Sequence, residues 1–237
     1  MNHVGPLRHA WDVSVEEACR IQRDIGERVV LLGGAGEVGT VAGVDVAYDA
    51  RSERVAAAVV VFETEGLDTV DEVTVVGRAR FDYVPGLLAF REVPVLLDAL
   101  AGLRREPDLI VCDGHGYAHP RRAGLACHLG QWTDIATIGC AKQPMVGQYN
   151  PPGSTRGSRQ PMVAEGETVG YVLRTRDRVK PVFVSPGHRI GFDEACAWRY
   201  SDSTETTLTV DEPPPTVEVM VEQHRLLLLG HRSTLRA

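Results

Sequence analysis

The chain has 237 residues, a length that suits one generous domain or a domain with a tail and is cramped for two. Hydrophobic residues make up 43% and charged residues 24%, an ordinary globular balance, and no apolar run nears the ~18 residues of a membrane span, the longest being of the kind Ala56–Phe62. The net charge of −7 speaks against nucleic acid, yet between residues 121 and 190 ten Lys/Arg face four Asp/Glu, so a basic face could still hold phosphates where the plainer reading is a solvated surface.

Residues 1–12 lack the basic start and apolar stretch of a secretion signal, so a cytoplasmic protein is expected. Ser14 and Glu17 have capping-box spacing and open an amphipathic helix to about Val29. Gly34, Gly36 and Gly39 then match G-x-G-x-x-G, but dinucleotide binding needs a helix to open there, and the following residues read as a strand; the glycines are taken as a loop. Strands are expected at roughly 41–48, 54–63 and 71–81, the middle one small, apolar and buried.

Residues 86–103 read as a helix that either starts near Arg91, with Pro94 in its first turn, or kinks at Pro94. A short buried strand, Asp108–Cys112, ends at Asp113-Gly114; a helix over 121–132 and a strand over Thr137–Cys140 follow. Residues 147–161 read as a surface loop with arginines, and strands near 168–175 and 180–184 pair through Arg176-Asp177. A helix begins near Phe192; beyond about 201 the composition shifts to a proline-containing linker, with a final apolar helix at about 216–229 expected to dock back or meet a partner. The expected organisation is a catalytic domain over 1–200 and a tail over 201–237. Three antiparallel strands, then helices alternating with parallel strands, indicate a mixed α/β sheet, an order shared by ribonuclease H-like folds. Five cysteines form no CxxC pair, so structural zinc and a disulfide framework are not expected and the thiols are read as buried or incidental.

Asp45 sits inside an apolar strand, where a carboxylate either faces solvent or is buried at a cost of several kcal/mol unless paired or metal-bound. Asp113 repeats the pattern at the end of Leu109–Cys112, and acids at the carboxyl ends of sheet strands point into the crevice where ligands bind. Glu92, on an apolar helix, is a surface acid or a third member of the set; three such carboxylates could converge on one or two magnesium ions. His119 follows in a loop whose Gly114 and Gly116 would allow close backbone approach to a ligand, with Pro120 fixing the turn.

Six segments in order, Gly43–Tyr48, Tyr83–Glu92, Asp113–Gly130, Gly139–Lys142, Gly170–Leu173 and Ser185–Ile190, resemble the endonuclease V family over roughly residues 12–200. The resemblance implies a ribonuclease H-like fold and a Mg²⁺-dependent nuclease, with Mn²⁺ substituting, that recognises inosine in DNA. Such an enzyme hydrolyses the second phosphodiester bond on the 3′ side, leaving 3′-hydroxyl and 5′-phosphate ends. It further implies that Asp45, Glu92 and Asp113 hold the metal, that His119 assists hydrolysis, and that Lys142 sits near the scissile phosphate. Tyr83, Val84 and Pro85 would be the wedge that fills the stack when a base is turned out, and Gly86, Leu88 and Gly114 would line the base pocket. For Tyr83 the plain alternative is a core aromatic at a strand end, against which Pro85-Gly86 signals an exposed turn.

Departures from the family pattern are Asp82, where proline is commoner; Cys140, in place of an aliphatic residue; Pro144, two residues after Lys142; and a tail, Pro213 to Thr216, without the usual arginine. Other readings are an inosine-specific endoribonuclease acting on RNA, a non-cleaving module that binds deaminated bases, and another ribonuclease H-like nuclease. No membrane association is expected, and a monomer is the default.

Overall fold

The computed structural model describes residues 8–33, 36–49, 52–66 and 68–197. The expected linker and the helix at 216–229 lie outside the described residues, as does Gly34 of the glycine stretch. Helix α1 (Val15–Arg28) begins as its sequence requires, with the Ser14 hydroxyl accepting from the Glu17 amide at 3.1 Å. The reciprocal half of a capping box is replaced by an ion pair, because Arg20 takes both carboxylate oxygens of Glu17, at 2.9 and 2.5 Å. Ala18, Ile21, Gln22 and Ile25 recur at helical spacing and form its buried stripe.

Strands β1 (Thr40–Tyr48), β2 (Arg54–Glu63) and β3 (Thr69–Arg78) form an antiparallel meander. β2 is buried along almost its whole length between its neighbours, which accounts for its apolar composition. Gly39 and Thr40 donate their amides to the Asp108 carboxylate at 3.0 and 2.8 Å and lead straight into β1, so no helix opens at Gly36–Gly39 to hold a pyrophosphate. Helix α2 (Leu88–Leu100) starts earlier than the first of the two expected placements, which puts Pro94 in its interior rather than its first turn. The burial of Phe90 against α1 and of Ala89 against the sheet secures that first turn, and Pro94 removes one helical donor.

Strand β4 (Leu109–Cys112) lies parallel beside β1, and β5 (Ala136–Ala141) parallel beside β4, with α3 (Leu125–Thr133) crossing between them. The helix expected from residue 121 begins only at Leu125. Residues before it form a turn, with Arg122 at a φ of 55° and the Gly124 amide bonded to the Gly116 carbonyl at 3.0 Å. The surface loop expected over 147–161 gives way at its end to β6 (Arg159–Ala164), in which only Met162 is buried. Proline at 161 is tolerated there because β6 is an edge strand. The two expected strands appear as β7 (Glu167–Leu173) and β8 (Val182–His188), paired as anticipated through Tyr171 and Val184, and α4 (Phe192–Ala197) follows.

The eight strands among the described residues make one sheet in the order β3-β2-β1-β4-β5-β8-β7-β6, mixed as a ribonuclease H-like fold requires. Val44, Val59, Ile110, Leu96 and Leu129 pack one face against α2 and α3. Val41, Phe62, Val111, Ile138 and Val184 pack the other against Ile190 and Cys196, while α1 lies over Phe90 and Cys127. Among the described residues no helix is long and apolar enough to cross a membrane.

Candidate active site

β1 and β4 run parallel with Val44 opposite Cys112, and the next residue on each strand line is an acid: Asp45 and Asp113. Their strands lie about 4.8 Å apart, and equal parity turns both side chains to the same face. Glu92 approaches from α2 and is only 6% exposed. Burial, reinforced by the charge of Asp113, pushes the Asp45 carboxyl up to about 6, against the help of the Val46 amide that donates to it at 2.8 Å. Burial likewise pushes Glu92 up to about 8, with Asp45 and Asp113 adding to the effect. The Tyr48 hydroxyl, donating to Glu92 at 2.5 Å, opposes it. Lys142, just past β5, sets its ammonium 2.5 Å from Asp113.

Asp45 and Glu92, both raised by burial and by neighbouring carboxylate charge, are short of positive charge, and an all-oxygen donor set is what hard divalent cations take. The residues therefore fit such an ion in charge and chemistry. As the side chains stand, each carboxylate faces a protein partner, and among the described residues no three His, Cys, Asp or Glu converge into a group that could hold a metal.

The Tyr83–Gly86 segment stands in front of α2 as an exposed turn closed by the Leu87 amide on the Val84 carbonyl at 2.9 Å. Tyr83 is 69% exposed, so the strand-end aromatic that enters the core is Phe81, not Tyr83. Pro85 and Asp82 are exposed, whereas Val84 leans on the α1 cluster and Leu88 opens α2, half-buried. Gly86 has a φ of 81°, a region that favours glycine. Its carbonyl accepts from Gln22 Nε2 at 2.9 Å and Arg121 Nη2 at 2.9 Å, and meets His119 Nε2 at 3.0 Å.

His119 is 2% exposed, with its other nitrogen facing the Arg121 amide at 3.1 Å. A carbonyl can only accept, so Nε2 carries the proton and the ring is neutral. Burial and the nearby Arg121 charge pull its pKa down to about 4, which agrees. The structure thus places His119 beneath the Tyr83–Gly86 turn with both nitrogens engaged. Gly114 follows Asp113 directly, and a β-carbon there would stand 3.1 Å from the Leu125 side chain.

Residue patterns alone did not single out Tyr48 or Gln22, whereas Arg121 stood out as the arginine that, with two histidines, follows the strand-end acid Asp113. Tyr48 lies three residues beyond Asp45 and reaches Glu92, while Arg91 stacks over its ring at 5.0 Å. Gln22, the one polar residue in the buried stripe of α1, was the available signal. Several cations of the 121–190 region are already paired: Arg122 with Glu165 and Glu167, Arg159 with Asp193, Arg189 with Asp134. Arg178 and Lys180 are exposed.

A family model described as Endonuclease V matches residues 23–216. An endonuclease V of Streptomyces avermitilis is 52% identical over 189 residues, 79% of this chain and 82% of the relative. A crystal structure of the endonuclease V of that organism superimposes with a TM-score of 0.78 at 46% identity, covering 94% of this chain and 97% of the other. The Ciona intestinalis endonuclease V, crystallised with a 24mer DNA containing an inosine followed by a ribo-adenosine, shares the fold with a TM-score of 0.67 at 24% identity, over 78% of this chain and 87% of the other.

Proposed function

The chain belongs to the endonuclease V family, and on that premise we propose that it is a divalent-metal-dependent endonuclease that finds inosine in DNA. It hydrolyses the second phosphodiester bond 3′ to the altered base, leaving 3′-hydroxyl and 5′-phosphate ends, as a step in the removal of deaminated bases. We take it to act as a cytoplasmic monomer. The observation that carries the reading is the juxtaposition of Asp45 and Asp113 on neighbouring strands with the buried Glu92, all within a protein whose exposed Tyr83 turn rests on the loop after Asp113.

In this reading Asp45, Glu92 and Asp113 hold Mg²⁺, or Mn²⁺ in its place. Such an ion, when bound, would lower the pKa of a water so that it can act as hydroxide toward phosphorus, and would offset charge on the leaving oxygen. Lys142 lies at the open edge of the acids, its side chain 66% exposed, where its ammonium can turn from Asp113 to a phosphate oxygen. Tyr83, with Val84 and Pro85, enters the stack as the base swings out, at a cost of a few kcal/mol that is least at a mispair. Gly86, Leu88 and Gly114 border the pocket that receives the base. His119, neutral and committed to the Gly86 carbonyl, serves hydrolysis by holding that border in place rather than by exchanging protons.

Nicking of an inosine-containing strand in the presence of Mg²⁺ or Mn²⁺, absent with Asp45→Ala, is the expected result. Cleavage no greater than that of the Asp45→Ala control would reject it. A second reading, an endoribonuclease acting on inosine in RNA, is favoured by the ribo-adenosine that follows inosine in the Ciona ligand. Matched inosine-DNA and inosine-RNA oligonucleotides decide between the two.

A further inference from the structure

Gln22 is a polar side chain in an apolar place. It lies mid-way along α1, 1% exposed, between Ile21 and Ile25 in the stripe that packs on Phe90 and Cys127. A buried primary amide is tolerated only if its hydrogen bonds are made. Here both amide protons and the oxygen are used: Nε2 donates to the Gly86 carbonyl at 2.9 Å and to the Ala123 carbonyl at 3.1 Å, and Oε1 accepts from Arg121 Nε at 2.6 Å. Turning the amide over would set its oxygen against two carbonyl oxygens, so the geometry allows one orientation only.

Arg121 makes the second arm, sending Nη2 to the same Gly86 carbonyl at 2.9 Å while Nε binds Gln22. His119 makes the third at 3.0 Å. A single carbonyl oxygen thus receives three donors, one of them charged, from α1 and from the loop that begins at Asp113. Gly86 holds a φ of 81°, and a β-carbon there would stand 3.0 Å from Arg121 Nη2. The turn bearing Tyr83 is therefore fixed at its root and open at its tip.

We propose that Gln22, Arg121 and His119 form a clamp on the Gly86 carbonyl that positions the Tyr83–Gly86 turn relative to Asp113, and that discrimination of the altered base depends on it although Gln22 touches no nucleic acid. The inference rests on the reading of that turn as wedge and pocket border. Gln22 and Arg121 are positioning residues: their effect passes through the backbone of Gly86. Without them the turn samples other orientations, and tight binding of a swung-out purine is lost while contacts to the phosphate backbone persist.

The test uses the full chain with Gln22→Met, close in shape but without donors, and Arg121→Lys, which keeps the charge but not the fork. For each, kcat and KM are measured on an inosine-containing single strand with Mg²⁺, together with binding to the same strand carrying adenine. The clamp predicts a rise in KM of about tenfold, the size of a lost buried hydrogen bond, with kcat changed far less and binding of the adenine strand unaltered. A purely structural role would instead lower the active fraction, reducing kcat at constant KM. That pattern, or an unchanged inosine preference in variants that melt cooperatively, overturns the proposal. If Gln22→Met does not fold, Arg121→Lys decides alone by the same criteria. Wild-type protein without preference for inosine over adenine would reject the functional reading itself, a result distinct from either.

Discussion

Replacing Glu92 by glutamine should stabilise the metal-free protein at alkaline pH. In the native state Glu92 is held up to about 8 by burial, with Asp45 and Asp113 contributing, whereas in the unfolded chain it ionises near its ordinary 4.5. Between those values the folded protein keeps a proton that the unfolded chain has released, so the native state binds more protons and stability falls as pH rises. Each pH unit of that interval costs about 1.36 kcal/mol, which sets a ceiling on the order of 5 kcal/mol above pH 8. Glutamine does not ionise and can still accept from Tyr48, so the variant escapes the loss. In EDTA the two proteins should melt close together near pH ~4.5 and diverge upward, the variant gaining up to roughly 10–20 °C by about pH 9, given about 2–4 °C per kcal/mol for a domain of this size. Adding Mg²⁺ should reverse the order at alkaline pH, since the ionised carboxylate then gains a partner that the substituted amide lacks. Melting curves followed by circular dichroism across this range check both limbs. Parallel pH profiles for the two proteins in EDTA, or a wild type that gains on the variant as pH rises without metal, would refute the reasoning.

Tyr83→Ala should weaken binding to an inosine-bearing duplex more than to the same single strand, because only the duplex has a stack to fill; equal losses by fluorescence anisotropy would contradict the wedge. Gly86→Ala should cost about 1–2 kcal/mol for a side chain at positive φ, before any crowding against Arg121, and the melting temperature and the inosine preference should fall together. A variant unchanged in both would argue that the turn is not held as described. Raising salt should weaken single-strand binding with a log–log slope of about −2 to −4, as expected if a few of the ten cations in 121–190 displace counterions. A flat response would place the phosphate contacts elsewhere.

The meander, the two parallel strands and the acids within or just beyond them were legible because each rests on local periodicity. An apolar strand interrupted by one carboxylate announces it, and Asp45 and Asp113 fall one step beyond Val44 opposite Cys112. What escaped reading depends on partners distant in sequence. β6 was lost in an arginine- and proline-rich stretch because an edge strand buries little, here only Met162. The α3 start was placed four residues early because Arg121 to Gly124 are apolar-adjacent and helix-tolerant, whereas Gly116 and His119 draw their backbone into a turn. Gln22 and Gly86 are separated by 64 positions, so no window of sequence contains both halves of their hydrogen bond.

Gly116 makes the clearest case of a residue whose smallness serves packing of the fold. Its place two residues before Ala118 in a glycine-bearing loop suggested room for a ligand against the backbone. At Gly116 the position of a β-carbon is 2.2 Å from the Pro186 carbonyl oxygen, so any side chain would drive the loop off β8. The Tyr117 amide bonds that same carbonyl at 2.7 Å, and the Gly116 amide bonds Ser185 Oγ at 2.9 Å. Backbone packed on backbone is stiff, since it has no rotamers to absorb a displacement. The loop therefore carries Asp113 at one end and His119 and Arg121 at the other as a rigid span. Asp113 and the Tyr83–Gly86 turn are held at a set separation by glycine's smallness rather than by its flexibility. Widening that contact by a single methyl group at residue 116 should disturb both ends at once, whereas a change confined to Gly86 should leave the acids undisturbed.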